Sequence, residues 1–252
     1  MKHLSILLFL LCPLFVFSQR PKADTFTTNN GDLIIQPILH GTLVLEWNQQ
    51  TIYIDPYGGV KAFKGIKSPN LILLTDIHGD HLNQETLDAL DTKNSKLVVP
   101  KAVADKISES YHDRLIILNN NEETKQLGIE IKAIAMYNLP EDKTSRHTKG
   151  RGNGYILNFG GKTIYISGDT EDIEEMRALK NIDIAFVCMN LPYTMDINQA
   201  ASAVLVFKPK IVYPYHYRGK PGKSDTKAFK ELVFKGDPNI EVRLRNWYPE
   251  YE

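Results

Sequence analysis

Cysteine is nearly absent from this chain, with two residues in 252. So few exclude a scaffold built on disulfides, and one of the pair, Cys12, falls in a leader described below. Excess charge of one sign is absent too. Thirty Lys and Arg balance thirty Asp and Glu, and the pI near 7.1 argues against a basic partner of nucleic acid or of an anionic membrane. No Pro-, Gly- or Ser-rich linker, shift in composition or fixed-period repeat divides the chain. Apolar residues make up 42% of it and are spread evenly, which excludes a disordered segment. The length suits one large domain or two small ones, and without a linker the reading is one domain. Function has to come from local clusters.

The longest apolar run, residues 4–17, lies between Met1-Lys2-His3 and Ser18-Gln19-Arg20. A basic start, a short apolar stretch and a small residue at its end mark a secretory signal peptide. The run is shorter than the ~20 apolar residues that cross a bilayer, and Pro13 interrupts it, so no stable membrane span is expected. Bulky Leu11 precedes Cys12 where a lipoprotein site requires a small residue. Cleavage is expected after Ser18, giving a leader at 1–18, a flexible polar lead-in at 19–30 and one domain at 31–252. The mature protein is then secreted or periplasmic. It keeps only Cys188, which sits in the apolar run 184–189 and reads as a small buried side chain.

Short β-rich runs occur at 33–39, 43–47 and 52–55, and the four apolar residues 71–74 read as a buried strand. Leu82, Leu87 and Leu90 mark a short helix. Strands are expected at 97–100, 115–118 and 129–135, with a helix at 102–108. Gly160-Gly161 joins strands 154–159 and 163–167 as a hairpin. Helices at 172–179, 197–207 and 227–234 then alternate with strands at 182–187, 211–214 and 240–243. Two sheets packed face to face with helices outside accommodate this order, an α/β fold.

Chemistry concentrates at the ends of these strands. Directly after residues 71–74 comes Thr75-Asp76-Ile77-His78-Gly79-Asp80-His81. Four candidate metal ligands lie within six residues, and packing them together without a cation would mean mutual repulsion and desolvation. Asp169 follows the strand at 163–167, His216 follows the strand at 211–214, and His147 lies in a Gly-rich loop before residue 154. A rigid scaffold aims such loops at one point.

The chain here resembles the metallo-β-lactamase superfamily, whose first motif reads His-x-His-x-Asp-His. Residues 75–81 match it except at the first ligand, where Asp76 stands. His147-Thr148-x-Gly resembles the third-histidine motif, Gly168-Asp169 the bridging motif, and Tyr215-His216-Tyr217 the terminal histidine. Residues 41–56, with Leu-Val-Leu-Glu-Trp and Ile-Tyr-Ile-Asp-Pro, are similar to the opening hairpin. Within the superfamily the chain looks most like the ascorbate-6-phosphate lactonase-like and N-acyl-phosphatidylethanolamine phospholipase D-like branch. The resemblance implies a four-layer αββα sandwich of two mixed β-sheets with helices on the outer faces. It also implies two divalent metal ions, Zn²⁺ first with Mn²⁺ or Fe²⁺ as alternatives. Asp76, His78 and His147 would hold one ion, and Asp80, His81 and His216 the other, with Asp169 between them. The oxygen of Asp76 adds charge and hardness to the first half, and Asp80 is the candidate to handle a proton.

The implied activity is an exported dinuclear hydrolase that cleaves an ester, lactone, amide or phosphodiester in a small molecule through a metal-bound hydroxide. A phospholipase D-like phosphodiesterase is the alternative enzyme. A non-catalytic binding protein with an impaired metal site is the alternative class, motivated by Asp76 and opposed by the presence of every other ligand. His40, Asn138 and Arg218 are weaker candidates for contact with substrate. Arg146, Lys149, Arg151, Arg218 and Lys220 would suit an anionic substrate, although a solvated loop is the plainer reading. His112 reads as a surface residue. No nucleic-acid partner is expected, and no feature sets an oligomeric state.

Overall fold

The run Leu-Val-Leu-Glu-Trp at 43–47 shows how the molecule is layered. Leu43, Leu45 and Trp47 enter one core while Val44 enters another, so this strand lies between two layers. The same division recurs where Leu71 and Leu73 face the first core and Ile72 and Leu74 the second. A run apolar on both faces is what a strand buried on both sides requires. The structure is a computed structural model and describes residues 20–220 and 222–251. The leader expected at 1–18 lies outside the described residues.

Among the described residues, two seven-stranded sheets form the centre. In the first, β1 (Asp24–Thr28), β2 (Gly31–Leu39), β3 (Thr42–Trp47) and β4 (Gln50–Ile54) are successive antiparallel neighbours. Then β5 (Leu71–Leu73), β6 (Lys96–Val99) and β7 (Leu115–Ile117) are added in parallel. The second sheet repeats the plan. Its antiparallel strands are β8 (Glu123–Gln126), β9 (Ile129–Met136), β10 (Gly152–Phe159) and β11 (Lys162–Ile166). Its parallel additions are β12 (Ile184–Cys188), β13 (Ile211–Tyr215) and β14 (Glu241–Val242). The halves share a topology and not a residue spacing, so the duplication leaves no fixed period in the sequence.

Helices complete the expected αββα sandwich. α1 (Gly59–Ala62), α2 (Gln84–Ala89) and α3 (Lys101–Ala104) supply Ala62, Leu87 and Val103 to the second core. α4 (Glu174–Arg177), α5 (Ile197–Phe207) and α6 (Thr226–Gly236) contribute Met176, Val204 and Phe229 to the first. Local sequence sets the helix starts. Asp196 and Gln199 close a reciprocal capping box on α5, Asp225 caps α6 and Asn83 caps α2. Among the described residues no helix is long and apolar enough to cross a membrane.

The lead-in expected at 19–30 needs correction. Residues 24–28 form β1, paired over its whole length with β2. Asp24 anchors it by accepting hydrogen bonds from Tyr213 Oη at 2.8 Å and from the Arg245 guanidinium at 2.5 and 3.1 Å. An edge strand shows one face to water, so its composition is polar and hides its period. The polar edge strand β8 escaped the sequence reading for the same reason. The helices expected at 102–108 and 172–179 shrink to Lys101–Ala104 and Glu174–Arg177.

Strand direction places the chemistry. β2, β4 and β5 share one direction, so residue 40, residue 55 and the segment 75–81 leave the first sheet on the same edge. In the second sheet β11 and β13 run together and β10 opposes them. Residues 169 and 216, which follow β11 and β13, therefore share an edge with residue 147, which precedes β10.

Candidate metal centre

At the end of β4 stands Asp55, 1% exposed and in a left-handed conformation (φ 44°). Its Oδ1 accepts from Thr75 N at 2.8 Å, and its Oδ2 accepts from Thr75 Oγ1 at 2.6 Å and from His81 Nδ1 at 2.8 Å. A carboxylate only accepts, so His81 carries a proton on Nδ1 and turns Nε2, the nitrogen left for a metal, to the centre. The turn below is closed by His81 N and Leu82 N, which donate to His78 O at 3.0 and 2.8 Å. The sequence reading gave Asp55 no role. Its signal was an Asp-Pro step directly after an apolar strand.

His147 is aimed in the same manner. Asn138 Oδ1 accepts from His147 N at 2.8 Å and lies 3.1 Å from His147 Nδ1, while Asn138 Nδ2 donates to Glu171 Oε1 and to the Tyr193 carbonyl. All of the Asn138 carboxamide is engaged within the protein. Its expected contact with substrate is therefore replaced by the positioning of His147. Gly152, at the start of β10, leaves no room for a side chain: an added Cβ would lie 2.8 Å from the Thr75 carbonyl.

These supports bring the expected ligands together. Asp76 Oδ2 lies 2.6 Å from His78 Nδ1 and 4.0 Å from His147 Nε2, and the three form one compact donor group. His81, Asp169 and His216 form a second, and His40, Asp80 and His216 a third. Asp169 joins them. Its Oδ2 is 3.1 Å from His147 Nε2 and 3.4 Å from His81 Nε2, and its Oδ1 is 3.4 Å from His216 Nε2. Asp80 Oδ2 lies 3.4 Å from His216 Nε2 and 3.1 Å from His40 Nε2. Among these crowded atoms His78 Nδ1, His147 Nε2 and Asp169 Oδ1 are buried without a hydrogen-bond partner. Close approach without hydrogen-bond alignment is the arrangement of donors that share a cation, so these residues fit divalent metal.

Electrostatics agree. Burial opposes ionisation of Asp169, Asp80 and Asp76, yet the surrounding imidazoles outweigh it. Asp169 and Asp80 are held well below the usual carboxylate range. Asp76 is brought to about 2 by His78 and His81 together with Arg151. His81, despite complete burial, is raised well above its ordinary value by Asp169, Asp55 and Asp80. The carboxylates of the centre thus stay ionised despite burial, which suits them to hold cations.

His40 stands at the rim. Burial, with His216 beside it, lowers its pKa to about 4 against the pull of Asp80. Its Nδ1 is 2.8 Å from Tyr248 Oη, which also accepts from Arg218 N at 2.8 Å. The exposed Arg218 side chain lies over the Tyr248 ring, 4.6 Å from its centroid. The five cations grouped in the sequence do not converge. Lys149 pairs with Glu141 and Glu175, Arg146 covers Tyr193, Lys220 is exposed, and Arg151 binds Asp76. His112 is exposed and Cys188 is fully buried, as read from the sequence. A groove of about 660 Å³ on the exposed face of β8 to β11 contains none of the candidate ligands.

Fold and donor set together define a metal-dependent hydrolase class, and comparison with known proteins bears this out. The family model of the beta-lactamase superfamily domain matches residues 35–216. A UPF0173 metal-dependent hydrolase from Pyrococcus furiosus is 33% identical over 204 residues, 77% of this chain and 89% of that protein. A crystal structure described as a metal-dependent hydrolase, from Parabacteroides distasonis, superposes with a TM-score of 0.79 at 36% identity. It covers 89% of this chain and 98% of its own. A metallo-beta-lactamase fold protein from Bacillus subtilis shares the fold alone, with a TM-score of 0.64 at 11% identity over 82% of this chain and 88% of its own. The chain belongs to the metallo-β-lactamase superfamily and is a metal-dependent hydrolase.

Proposed function

We propose that the protein is a two-metal hydrolase that cleaves an ester, lactone, amide or phosphodiester bond in a small molecule. The observation that carries this reading is Asp169, whose Oδ2 lies between His147 and His81, one from each donor set, while its Oδ1 faces His216. A carboxylate in that position serves both donor sets at once. Asp76, His78 and His147 would hold one ion, and Asp80, His81 and His216 the other. Divalent ions bound there supply an acidified water and polarise the bond under attack.

The chain's own groups divide the remaining work. Asp55 and Asn138 fix the ring orientations of His81 and His147. Asp80 is the most open of the three central carboxylates, its side chain 30% exposed against 0% for Asp76 and 4% for Asp169. Its Oδ1, 4.0 Å from His81 Nε2, is the atom placed to take a proton and return it to solvent. We place this activity outside the cytoplasm, secreted or periplasmic, on the strength of the leader at 1–18. Zn²⁺ is the first choice of ion, since nitrogen donors predominate, with Mn²⁺ or Fe²⁺ favoured by the added oxygen of Asp76.

The test is metal analysis of the purified protein after loading with Zn²⁺, Mn²⁺ or Fe²⁺, followed by a screen against phosphodiesters, lactones and β-lactams. Two equivalents of metal and metal-dependent turnover are expected. No bound metal after loading would overturn the reading and favour a binding protein.

A further inference from the structure

One cation is built into the donor cluster itself. Arg151 lies four residues beyond His147, and its fork meets both oxygens of Asp76: Nε donates to Oδ1 at 3.1 Å and Nη2 to Oδ2 at 3.0 Å. The carboxylate is fully buried and the guanidinium side chain is 19% exposed. The oxygen that Nη2 holds is the one that stands 2.6 Å from His78 Nδ1. A bidentate guanidinium occupies one of the two lone pairs on each oxygen, so Asp76 meets a metal with half of its acceptor capacity already used. The second donor set is built differently. Among the described residues neither Asp80 nor Asp55 forms an ion pair with Lys or Arg.

We propose that Arg151 is the residue that sets the affinity of the first half of the site, as an internal counter-ion. With Asp76 it forms a neutral pair where a superfamily motif carries a neutral imidazole, so the extra anion does not tighten metal binding. The first half, with a fixed positive charge next to its ligand oxygen, binds its ion more weakly than the second half and fills after it. This inference rests on the two-ion reading above. Asp76 and Arg151 act as one unit, and changing either alone unbalances the site.

Zinc titrations of the metal-free full-length protein against a chromophoric chelator test this, with Co²⁺ absorption spectra to report each half-site. The parent should show two unequal affinities. Arg151→Met removes the fixed charge and leaves the carboxylate free. The weaker site should tighten by at least about tenfold, the stronger should stay in place, and the metal-free protein should melt lower. Arg151→Lys keeps the charge and should hold the weaker affinity near the parent's. A purely structural prop predicts the reverse, a weaker first half in Arg151→Met. That result, or no change, overturns the proposal and leaves the two-ion reading standing. One equivalent at saturation in both parent and Arg151→Met overturns both. Should Arg151→Met fail to fold, Asp76→His alone and combined with Arg151→Met decide the matter. The single change leaves an unopposed guanidinium and should lose the weaker ion, while the double change should regain it. Equal binding by those two variants overturns the proposal.

Discussion

Replacing Asp55 by Asn changes one atom in a buried side chain that accepts three hydrogen bonds, from Thr75 N, Thr75 Oγ1 and His81 Nδ1. The amide has the same shape but carries a donor on one side. If its NH₂ group faces His81, Nδ1 must give up its proton and the remaining imidazole proton sits on Nε2. There it can be satisfied in the metal-free protein by Asp169 Oδ2 at 3.4 Å, but a protonated Nε2 cannot bind metal. If the amide flips, His81 keeps its tautomer and Thr75 N–H meets a second donor. A buried donor left unpaired costs about 1–3 kcal/mol. The metal-free protein takes the first arrangement and the metal-bound protein is forced into the second, so that cost comes out of metal affinity. At tenfold per ~1.4 kcal/mol this is a loss of roughly 5- to 150-fold, in the range typical for removing an outer partner of a ligating histidine. Chelator competition measures it, and ¹⁵N NMR of the imidazole reads the tautomer. A variant with parental zinc affinity and Nδ1 still protonated in the metal-free state would refute the assignment of Asp55.

Asp169→Ala should lose most bound metal and all activity, because both donor sets lose their shared ligand, while Asp76→Ala should retain one equivalent. Metal analysis of the two variants checks this, and equal loss in both would sink the bridging role of Asp169. In the metal-free protein, His40 is held near 4 by burial and by His216, so between pH 6.5 and 4 the unfolded chain takes up a proton that the folded chain does not. Stability should therefore fall on acidification through that window, by roughly 3 kcal/mol for this group. His40→Gln should flatten the slope in denaturant melts, and an unchanged slope would contradict the lowered value. His81, raised above its ordinary value, acts with opposite sign at higher pH, and its contribution is common to both proteins. Gly152→Ala would bring a methyl group to 2.8 Å from the Thr75 carbonyl and 2.5 Å from Met136 Cε. A loss of about 1–3 kcal/mol is expected, together with weaker metal binding, and calorimetry showing no change in Tm would refute the tight contact.

Much of this was legible in the sequence because burial and metal ligation both restrict residue type. Strands such as Leu71–Leu73 and Ile184–Cys188 are apolar on both faces and announce themselves. His78, Asp80 and His81 sit too close in sequence to be scattered by any fold, and Asp169, His147 and His216 follow or precede strands as a site at one edge requires. What escaped were residues whose function depends on a partner far along the chain. Asp55 acts through Thr75 and His81, and Tyr248 through His40 across 208 residues of sequence. Arg151 looked like one more loop cation because nothing near it in sequence reveals Asp76 across the sheets. The edge strands β1 and β8 were missed because a half-exposed strand needs few apolar side chains.

Backbone conformation supplies an independent sign that this edge is the working part of the molecule. Among the described residues, His40, Asp55 and His216 have positive φ values of 59°, 44° and 46°. A residue with a Cβ in this region costs roughly 1–2 kcal/mol that glycine avoids. The other six non-glycine residues with positive φ are Asn48, Gln49, Asn121, Leu127, Asn181 and Lys208, away from the metal centre. At positions 40, 55 and 216 glycine would serve the turn better, but it has no imidazole or carboxylate to offer. Each of the three ends a strand (β2, β4 and β13), and each side chain reaches the centre or the histidine beside it: His40 to Asp80, Asp55 to His81, and His216 to Asp169. The left-handed turn bends the chain at the strand end and directs the side chain inward. Strain concentrated at three converging strand ends is retained where the surrounding structure over-determines it. Here the two stacked sheets, buried on both faces, provide that rigidity.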